Sequence, residues 1–347
     1  MKIAVGLSGG IDSSAALLRL HEEGHDVIGI TMKATFHDQE HGKCCSIQDV
    51  HDARLLCQQI GVRHYVIDVK DDFHNQIVKY FIDEYLKGRT PNPCLFCNEL
   101  VKFKRLIEAS KALGYYKFAT GHYAILEQEG DTLILRQGLD PIKDQAYFLS
   151  RLPLSILKDS IFPLGRTLKK DNVAFLEARN ISISQKRESH EICFVPGNDY
   201  TQFIKDQVGE RIEPGDVVDE SHEKVGEHSG IPYYTIGQRR GLDIAMGKPV
   251  YVREMDPVTN VITIGEKPYG DHFTLSQVNW LGDYDLDHPT PLTVKVRHFH
   301  EGEEATLTRI DTGELVVRFK KPVFSITQGQ GAVGYLGDRV IFSGIIE

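Results

Sequence analysis

The sequence predicts a Rossmann-like α/β domain built on a parallel sheet and followed by two small β-barrel-type domains. Up to about residue 200, apolar runs of strand length alternate with amphipathic runs of helical length. Such alternation is typical of a parallel sheet covered by helices on both faces. Beyond that point the apolar runs are short and alternating, and Gly, Asp, Asn and Pro separate them, as in small barrels or sandwiches. The length of 347 residues suits two or three domains rather than one.

The first part of the chain supplies the elements of the parallel sheet. Its predicted strands are Lys2–Leu7, Val27–Met32, His64–Val69 and Tyr116–Thr120. Its predicted helices are Asp12–Glu23, a helix that Ser46 caps and Gly61 ends, Phe73–Lys87 and Leu100–Leu113. Sheets of this kind bind ligands at the carboxyl ends of their strands, so we expect the functional site at that edge.

The second part of the chain supplies short strands. They are predicted within EPGDVVD, YTIGQRRGL, KPVYVREMDPVTNVITIG, LTVKVR, EATLTRIDTGELVVRF and GDRVIFSG. The DPVTN and DTGE turns predict hairpins. Boundaries near residues 200–212 and near Pro268–Phe273 divide the chain into predicted domains at 1–205, 206–270 and 271–347.

Composition restricts the class of protein. Hydrophobic residues make up 41% and charged residues 26%, as in a soluble globular protein. The net charge of −9 disfavours nucleic acid as a partner, although a local basic groove on an acidic body still binds it. No apolar run approaches the roughly 20 residues that span a bilayer, and the N-terminal run breaks at Ser8-Gly9-Gly10, unlike a signal peptide. We therefore expect a cytoplasmic protein without a membrane partner.

The stretch SGGIDSS, at Ser8–Ser14, has the composition of an anion-binding turn. Glycines between a strand and a helix let backbone N–H groups surround an anion, and the helix N-terminus adds a favourable dipole. The serines can donate to phosphate oxygens, whereas Asp12 suits a ligand or orienter of the Mg²⁺ that accompanies ATP. No GK[ST] follows, which excludes the P-loop of kinases and GTPases. The alternative, a plain turn with an Asp/Ser cap, is disfavoured by the position directly after the first strand.

The six cysteines are unlike structural disulfides for the expected compartment, so they are free thiols, metal ligands or redox groups. Cys94 and Cys97 lie in TPNPCLFCNELVKF, and Cys193 lies in RESHEICFVPG. Sulfur insertion at an activated carbonyl carbon needs one thiol to carry a persulfide and a second to release the sulfur by closing a disulfide. Two remote cysteines that converge on the glycine turn suit that chemistry, and an amidating enzyme has no use for them.

These segments resemble a known family. SGGIDSS is similar to the PP-loop, SGGxDS, of the adenine nucleotide alpha hydrolase-like ATP pyrophosphatases, which split ATP and join AMP to a carbonyl oxygen. Over essentially its full length the chain resembles the bacterial tRNA-specific 2-thiouridylases. The matching segments are SGGIDSS, CCSIQDVHDAR, GRTPNPC with its following CN, KFATGHYA, KDQAYFLS, GRTLKK, ESHEICF, PYYTIGQRRGL and GQGAVGY.

The resemblance implies roles for individual residues. Cys97 takes the place of the first catalytic cysteine, Cys193 that of the persulfide-bearing one, and Asp12 acts with the Mg²⁺ of ATP. The implied ATP contacts are Gly6, Leu7, Ser8, Gly9, Gly10, Ile11, Asp12, Ser13, Met32 and Gly121. The implied target-base contacts are Asn92, Pro93 and Cys94, and the other implied tRNA contacts are His122, Lys143, Asp144, Gln145, Arg297, His298 and Gln330.

The resemblance also implies an activity and its partners. The expected reaction is ATP-dependent 2-thiolation of the wobble uridine, flipped out of the anticodon loop, with release of AMP and pyrophosphate. ATP and Mg²⁺ are the expected cofactors. The expected partners are tRNA and a persulfide sulfur donor protein, either a sulfur relay protein or a cysteine desulfurase.

Cys94 departs from the family pattern, because many members carry Asp at that position. It is a neutral residue of the base-contacting loop, a resolving thiol that competes for the disulfide, or a ligand with Cys97 and Cys193 of an iron–sulfur cluster, since three thiolates suffice to anchor one. The Cys44–Cys45 pair is interpreted as loop structure, and the HDQEH stretch lacks regular metal-ligand geometry. Cys57, on the apolar face of its helix, is interpreted as a core residue.

A tRNA-binding groove is predicted from the basic residues Lys102, Lys104, Arg105, Lys169, Lys170, Lys186, Arg187, Arg239 and Arg240.

The rival functions are an amidating or ligating ATP pyrophosphatase, such as an NAD or GMP synthetase, and an iron–sulfur or RNA-binding module that has lost catalysis. The intact SGGIDSS argues against the second rival.

Overall fold

The computed structural model describes residues 1–34, 47–181 and 192–347. Several sequence-based interpretations lie outside the described residues. They concern Ser46, the Cys44–Cys45 pair, the HDQEH stretch, Lys186 and Arg187.

A five-stranded parallel sheet forms the centre of the first domain, as predicted. The strands up to residue 161 are β1 (Lys2–Gly6), β2 (Asp26–Lys33), β3 (Arg63–Asp68), β4 (Lys117–Ala119), β5 (Ala124–Glu129), β6 (Thr132–Gln137) and β7 (Ser160–Ile161). Their order in the sheet is β3-β2-β1-β4-β7, and every pairing is parallel. The nearly continuous apolar character of β1 and β2 follows from burial on both faces.

Helices cover both faces of this sheet. The α-helices are α1 (Ile11–Glu22), α2 (Ile47–Ile60), α3 (Lys70–Phe73), α4 (Lys79–Leu86), α5 (Pro93–Phe96), α6 (Lys104–Ala112), α7 (Ala146–Leu149), α8 (Leu154–Leu157), α9 (Lys169–Glu177) and α10 (Tyr200–Val208). The π-helical segments His74–Val78 and Cys97–Phe103 join α3 to α4 and α5 to α6. Helices α1, α2 and α9 pack on one face, whereas the segments from α3 to α6 pack on the other.

The central domain contains a small four-stranded sheet. Its strands are β8 (Gly215–Val218), β9 (Lys224–His228), β10 (Tyr251–Asp256) and β11 (Val261–Gly265), and the 3₁₀ turns Pro196–Asn198, Gly209–Arg211 and Ile231–Tyr233 lie before and between them. The order is β10-β11-β8-β9. The DPVTN turn joins β10 and β11 as the predicted hairpin, with Asn260 at a positive φ of 57°.

The predicted strand within YTIGQRRGL is wrong, because residues 234–242 form irregular loop. Gly237 and Gly241 adopt φ of 85° and 72°, a backbone conformation that ends an extended strand.

The C-terminal domain is a closed six-stranded antiparallel barrel. Its strands are β12 (Tyr269–Trp280), β13 (Leu292–Lys295), β14 (Glu303–Arg309), β15 (Leu315–Phe324), β16 (Gly331–Leu336) and β17 (Arg339–Ile346). The order β12-β15-β14-β13-β16-β17 is closed by pairing of β12 with β17. The DTGE turn joins β14 and β15, as predicted. The fold class predicted from the sequence is thus confirmed.

The first domain also joins the barrel directly, which the sequence did not predict. The hairpin β5–β6 continues the barrel sheet through the pairing of Arg339 with Arg136. Tyr335, Val340 and Ile345 of the barrel belong to the same buried cluster as the core of the first domain. Among the described residues, no helix is long and apolar enough to cross a membrane.

Candidate active site

The SGGIDSS turn forms a tight loop between β1 and α1. Gly9 has a φ of 68°, and a Cβ atom there would lie 2.6 Å from the backbone oxygen of Asp49. A Cβ atom at Gly121, after β4, would lie 2.5 Å from the carbonyl carbon of Asp12 and 2.6 Å from the backbone nitrogen of Ser13. The glycines therefore allow the turn after β1 to approach the start of α2, and the turn after β4 to approach the start of α1, without side chains between them.

Hydroxyl groups stabilise this turn from within. The backbone N–H of Ser8 donates to Oγ of Ser13 at 3.2 Å, and the two serine hydroxyls lie 3.3 Å apart. Ser13 and Ser14 donate to the carbonyl oxygen of Gly10 at 3.1 and 2.8 Å. No side chain caps α1, so its N-terminus is open to an anion.

Asp12 is held in a charged network. Nζ of Lys169 lies 2.7 Å from both carboxylate oxygens of Asp12, and the hydroxyl of Tyr123 donates to Oδ1 at 2.7 Å. Asn172 donates to the Tyr123 hydroxyl at 3.0 Å and accepts two bonds from Arg19. The sequence placed Lys169 in a tRNA groove; the structure places it, half-buried, against Asp12.

A cleft opens at the carboxyl ends of β1, β2 and β4. Its cavity volume is about 180 Å³. The predicted ATP contacts that line it are Gly6, Leu7, Ser8, Asp12, Ser13, Met32 and Gly121, and the unpredicted lining residues are Ile30, Leu106 and Thr120. Gly9, Gly10 and Ile11 lie in the same turn but outside the lining.

His122 and Gln145, both implied tRNA contacts, line the nucleotide cleft with Lys102. His122 is buried and bonds Thr120 through Nδ1 at 2.7 Å. Burial, and secondarily the charge of Lys102, hold the pKa of His122 well below its ordinary value, so its ring is neutral at pH 7. Gln145 accepts from the backbone N–H of Tyr123 at 3.0 Å.

The loop Asn92–Cys94, the implied target-base contact, leads directly into the helix that carries Cys97. Pro93 opens α5 with Asn92 as its N-cap, and the chain turns π-helical at Cys97. Lys102, five residues further along this π-helical segment, lines the cleft. The helix therefore links the predicted nucleophile to the nucleotide site.

The cysteines differ in environment. Cys94, Cys97 and Cys193 are partly exposed, and Cys97 and Cys193 pack against the same hydrophobic cluster. The segment after Cys193 is anchored by Phe194, whose ring meets those of Phe81 and Phe73 at 5.2 and 5.6 Å. Cys57 is buried as predicted, and burial raises the pKa of its thiol to about 12, which makes it inert.

Tyr147, which the sequence analysis missed, brings three implied tRNA-contacting segments together. Its buried hydroxyl donates to the carbonyl oxygen of Gly331 at 2.8 Å and bonds the side chain of Asn92. Its ring lies 5.7 Å from that of His298, which also packs on Phe148 at 4.4 Å. The KDQAYFLS match was a signal for this segment, but no sequence pattern identified the tyrosine hydroxyl as its centre.

The remaining implied tRNA contacts lie beside this cluster. Nη2 of Arg297 donates to the carbonyl oxygen of Phe324 at 2.8 Å, and burial lowers the pKa of Arg297. Gln330 lies in the turn before β16, partly exposed. Asp144 is buried and accepts from the N–H groups of Gly138 and Ala146 at 2.9 and 3.1 Å, so its carboxylate shapes its own loop.

Some of the predicted basic residues face solvent. Lys104, Lys170, Arg239 and Arg240 are exposed. Arg105 is paired with Asp72 at 2.6 Å and with Glu108 at 2.9 Å, which reduces its share in an anion-binding surface. Lys143, adjacent to Asp144, is partly exposed.

The sequence suggested two metal groups, Mg²⁺ and an iron–sulfur cluster, and the side chains available as ligands differ for the two. Asp12 accepts three hydrogen bonds and keeps acceptor capacity, so it fits Mg²⁺, which proteins bind through one or two carboxylates plus substrate phosphates. Within the described ranges, which contain Cys94, Cys97 and Cys193, no three Cys, His, Asp or Glu side chains are grouped as metal ligands. The described residues therefore give no support for an iron–sulfur cluster.

Three family models match successive parts of the chain. They are described as a tRNA methyl transferase HUP domain at residues 1–197, a tRNA methyl transferase PRC-barrel domain at 201–266 and an aminomethyltransferase beta-barrel domain at 270–346. Among solved structures, a predicted subunit of tRNA methyltransferase from Methanocaldococcus jannaschii covers 61% of this chain and 88% of its own, at 19% identity and a TM-score of 0.33, too low to support a conclusion.

Curated relatives match along the whole chain. The tRNA-specific 2-thiouridylase MnmA 1 of Caldanaerobacter subterraneus subsp. tengcongensis is 42% identical over 100% of this chain and 98% of its own length. The tRNA-specific 2-thiouridylase MnmA of Natranaerobius thermophilus is 38% identical over 99% of this chain and 97% of its own.

The parallel sheet with its glycine cradle, SGGIDSS loop and open helix N-terminus defines a nucleotide-binding protein of the PP-loop class. Within that class, full-length matches single out one group. The chain belongs to the family of tRNA-specific 2-thiouridylases and is an enzyme of that class.

Proposed function

We propose that this protein converts the wobble uridine of tRNA anticodons to 2-thiouridine, using ATP and a cysteine persulfide. The observation that supports this most is the helix that starts at the base-contacting loop, carries Cys97 and lines the glycine-cradled cleft at Lys102. A thiol, an implied base-binding loop and a phosphate cradle on neighbouring elements are what sulfur transfer to an AMP-activated carbonyl requires.

The first step is activation of the base. The flipped-out uridine attacks the α-phosphorus of ATP through its C2 oxygen, and pyrophosphate leaves. The Gly9–Ser13 turn and the N-terminus of α1 bind the phosphates. Asp12 would hold Mg²⁺ together with the phosphates, and the bound ion would neutralise part of their charge.

The second step transfers sulfur. The terminal sulfur of a persulfide on Cys193 attacks C2, and AMP leaves with the former C2 oxygen. The thiolate of Cys97 then attacks Sγ of Cys193, so that the sulfur stays on the base as C=S and a Cys97–Cys193 disulfide forms. An external thiol reduces this disulfide, and a persulfide donor protein recharges Cys193.

The test is incubation of the protein with ATP, Mg²⁺, a persulfide source and an anticodon stem-loop, followed by mass spectrometry of the nucleosides. We expect 2-thiouridine with the wild type and none with Cys97→Ser or Cys193→Ser, while both variants still bind tRNA. Cys57→Ser, at the buried inert thiol, is the matched control and is expected to retain thiolation. Thiolation by Cys97→Ser, or amidation with ammonia in place of thiolation, contradicts the proposal.

A further inference from the structure

We propose that Arg89 and Glu347 form a positioning pair, which fixes the loop Asn92–Cys94 by tying it to the C-terminal barrel. The inference rests on the proposed function, which gives that loop its contact with the target base. It gives the barrel a structural role that differs from tRNA binding, because the barrel holds the loop Asn92–Cys94 of the first domain in place.

Arg89 lies three residues after the end of α4 and joins two domains. Its Nε donates to Oε2 of Glu84 at 2.7 Å, and its Nη2 donates to Oε1 of Glu347 at 3.0 Å, with Nη1 on the other Glu347 oxygen. The side chains of Arg89 and Glu347 are 20% and 34% exposed, so this bidentate pair is partly shielded from solvent. The bond from Arg89 is the main cause that lowers the pKa of Glu347. The Ser276 hydroxyl of β12 also donates to Glu347, which fixes the carboxylate in the barrel.

Thr90, the residue after Arg89, also contacts the barrel. The N–H of Thr90 donates to the carbonyl oxygen of Gln328 at 2.9 Å. Gly329 has a φ of 87°, and a Cβ atom there would lie 3.2 Å from the backbone nitrogen of Thr90, so the two chains are in close contact. The barrel turn thus lies directly on the segment that precedes the base-contacting loop.

The same barrel turn also holds Asn92, the first residue of the loop, through Tyr147. The Asn92 side chain bonds the Tyr147 hydroxyl, which donates to the carbonyl oxygen of Gly331 at 2.8 Å. Pro91 and Pro93 restrict the backbone on each side of Asn92. Because residues 328–331 hold the chain at Thr90 directly and at Asn92 through Tyr147, the position of the loop follows the position of the barrel.

The experiment compares Glu347→Ala with Asp338→Ala. Asp338 is the matched control, because it is a barrel carboxylate that accepts from an arginine of the first domain, Arg136, at 2.8 Å, away from the loop. We expect Glu347→Ala to lower kcat for thiolation by roughly 10- to 100-fold, since small misplacements of reacting groups have effects of that size. The dissociation constants for ATP and for the stem-loop should change less than about twofold. Arg89→Lys, which keeps the charge but loses the bidentate fork, should give a smaller loss in kcat.

Hydrogen exchange gives a readout that does not depend on thiolation. The peptide covering residues 90–97 should exchange faster in Glu347→Ala than in the wild type, and at the wild-type rate in Asp338→Ala. Unchanged exchange of this peptide in Glu347→Ala overturns the inference, as does an equal fall in kcat in both variants. If the wild type makes no 2-thiouridine, the proposed function fails, while the exchange comparison still decides whether the pair holds the loop.

Discussion

Lys169 shows how one side chain changes the interpretation of a motif. In the sequence GRTLKK it is one of two adjacent lysines and looks like part of a basic surface. In the structure its ammonium group lies 2.7 Å from both oxygens of Asp12, whereas Lys170 is exposed. The pair of opposite charges at the start of α1 brings a cation to the turn that we propose binds the phosphates of ATP.

We expect Lys169→Met to weaken ATP binding by about 10- to 100-fold, because a charge-assisted hydrogen bond contributes about 1.5–3 kcal/mol. Isothermal titration calorimetry with ATP checks this, with Lys170→Met as the control that keeps the ATP affinity. Stem-loop affinity without ATP should be unchanged in Lys169→Met. A loss of stem-loop affinity with normal ATP binding would return Lys169 to the tRNA groove.

Residues with a role in a local motif were predictable from the sequence, and those defined by tertiary contacts were not. The burial of Cys57 followed from helical periodicity, and the turn at Ser8–Ser14 followed from its glycines. The sequence analysis did not identify Tyr123 and Tyr147, because a tyrosine can be an ordinary core residue. Their roles depend on hydrogen bonds to residues far away in the sequence.

At the scale of elements, the close approach of GHYA to α1 is the contact on which the cleft depends. Gly121 follows β4 and lies against the backbone of Asp12 and Ser13. The spacing of apolar residues predicted strand β4 and helix α1. It did not predict that the residue after β4 contacts the start of α1 at a position where only the hydrogen atom of a glycine fits.

We expect Gly121→Ala to displace the start of α1 and to reduce ATP affinity by at least about tenfold, because its methyl group would lie 2.5 Å from backbone carbon of Asp12. Gly114→Ala is the control: its φ of 81° is also positive, but nothing lies within 4 Å of its Cβ position. It should lose only about 1 kcal/mol of stability and keep its ATP affinity. Equal ATP affinities in the two variants would contradict the steric role.

Strands were predictable where apolar residues alternate, and they were mispredicted where glycine decides the backbone. Residues 234–242 alternate but contain Gly237 and Gly241 at positive φ, so they form loop. The hairpin β5–β6 was missed because it pairs with β17, more than 200 residues later, and no local pattern encodes that partner.

At the scale of the whole molecule, the first domain and the barrel share one hydrophobic core. Tyr335 of β16 packs in the cluster that contains Leu135 of β6 and Tyr147 of α7. The central domain has a separate cluster around Val252 and Ile262. The chain is thus divided into three domains by sequence pattern, but its first and third parts are joined by buried side chains.

A pair of substitutions at Tyr335 tests whether this shared core couples the two parts. Tyr335 is 2% exposed, and its hydroxyl has no hydrogen-bond partner among the described residues. Tyr335→Phe should therefore leave stability unchanged or raise it by up to about 1 kcal/mol. Tyr335→Ala creates a cavity and should lower the free energy of unfolding by about 3–5 kcal/mol, measured by urea denaturation. Because the cavity lies in a common core, hydrogen-exchange protection should fall in β5, β6 and α7 as well as in β16 and β17. Protection lost in the barrel strands alone would mean that the two parts unfold independently, and the barrel could not then hold the base-contacting loop in place.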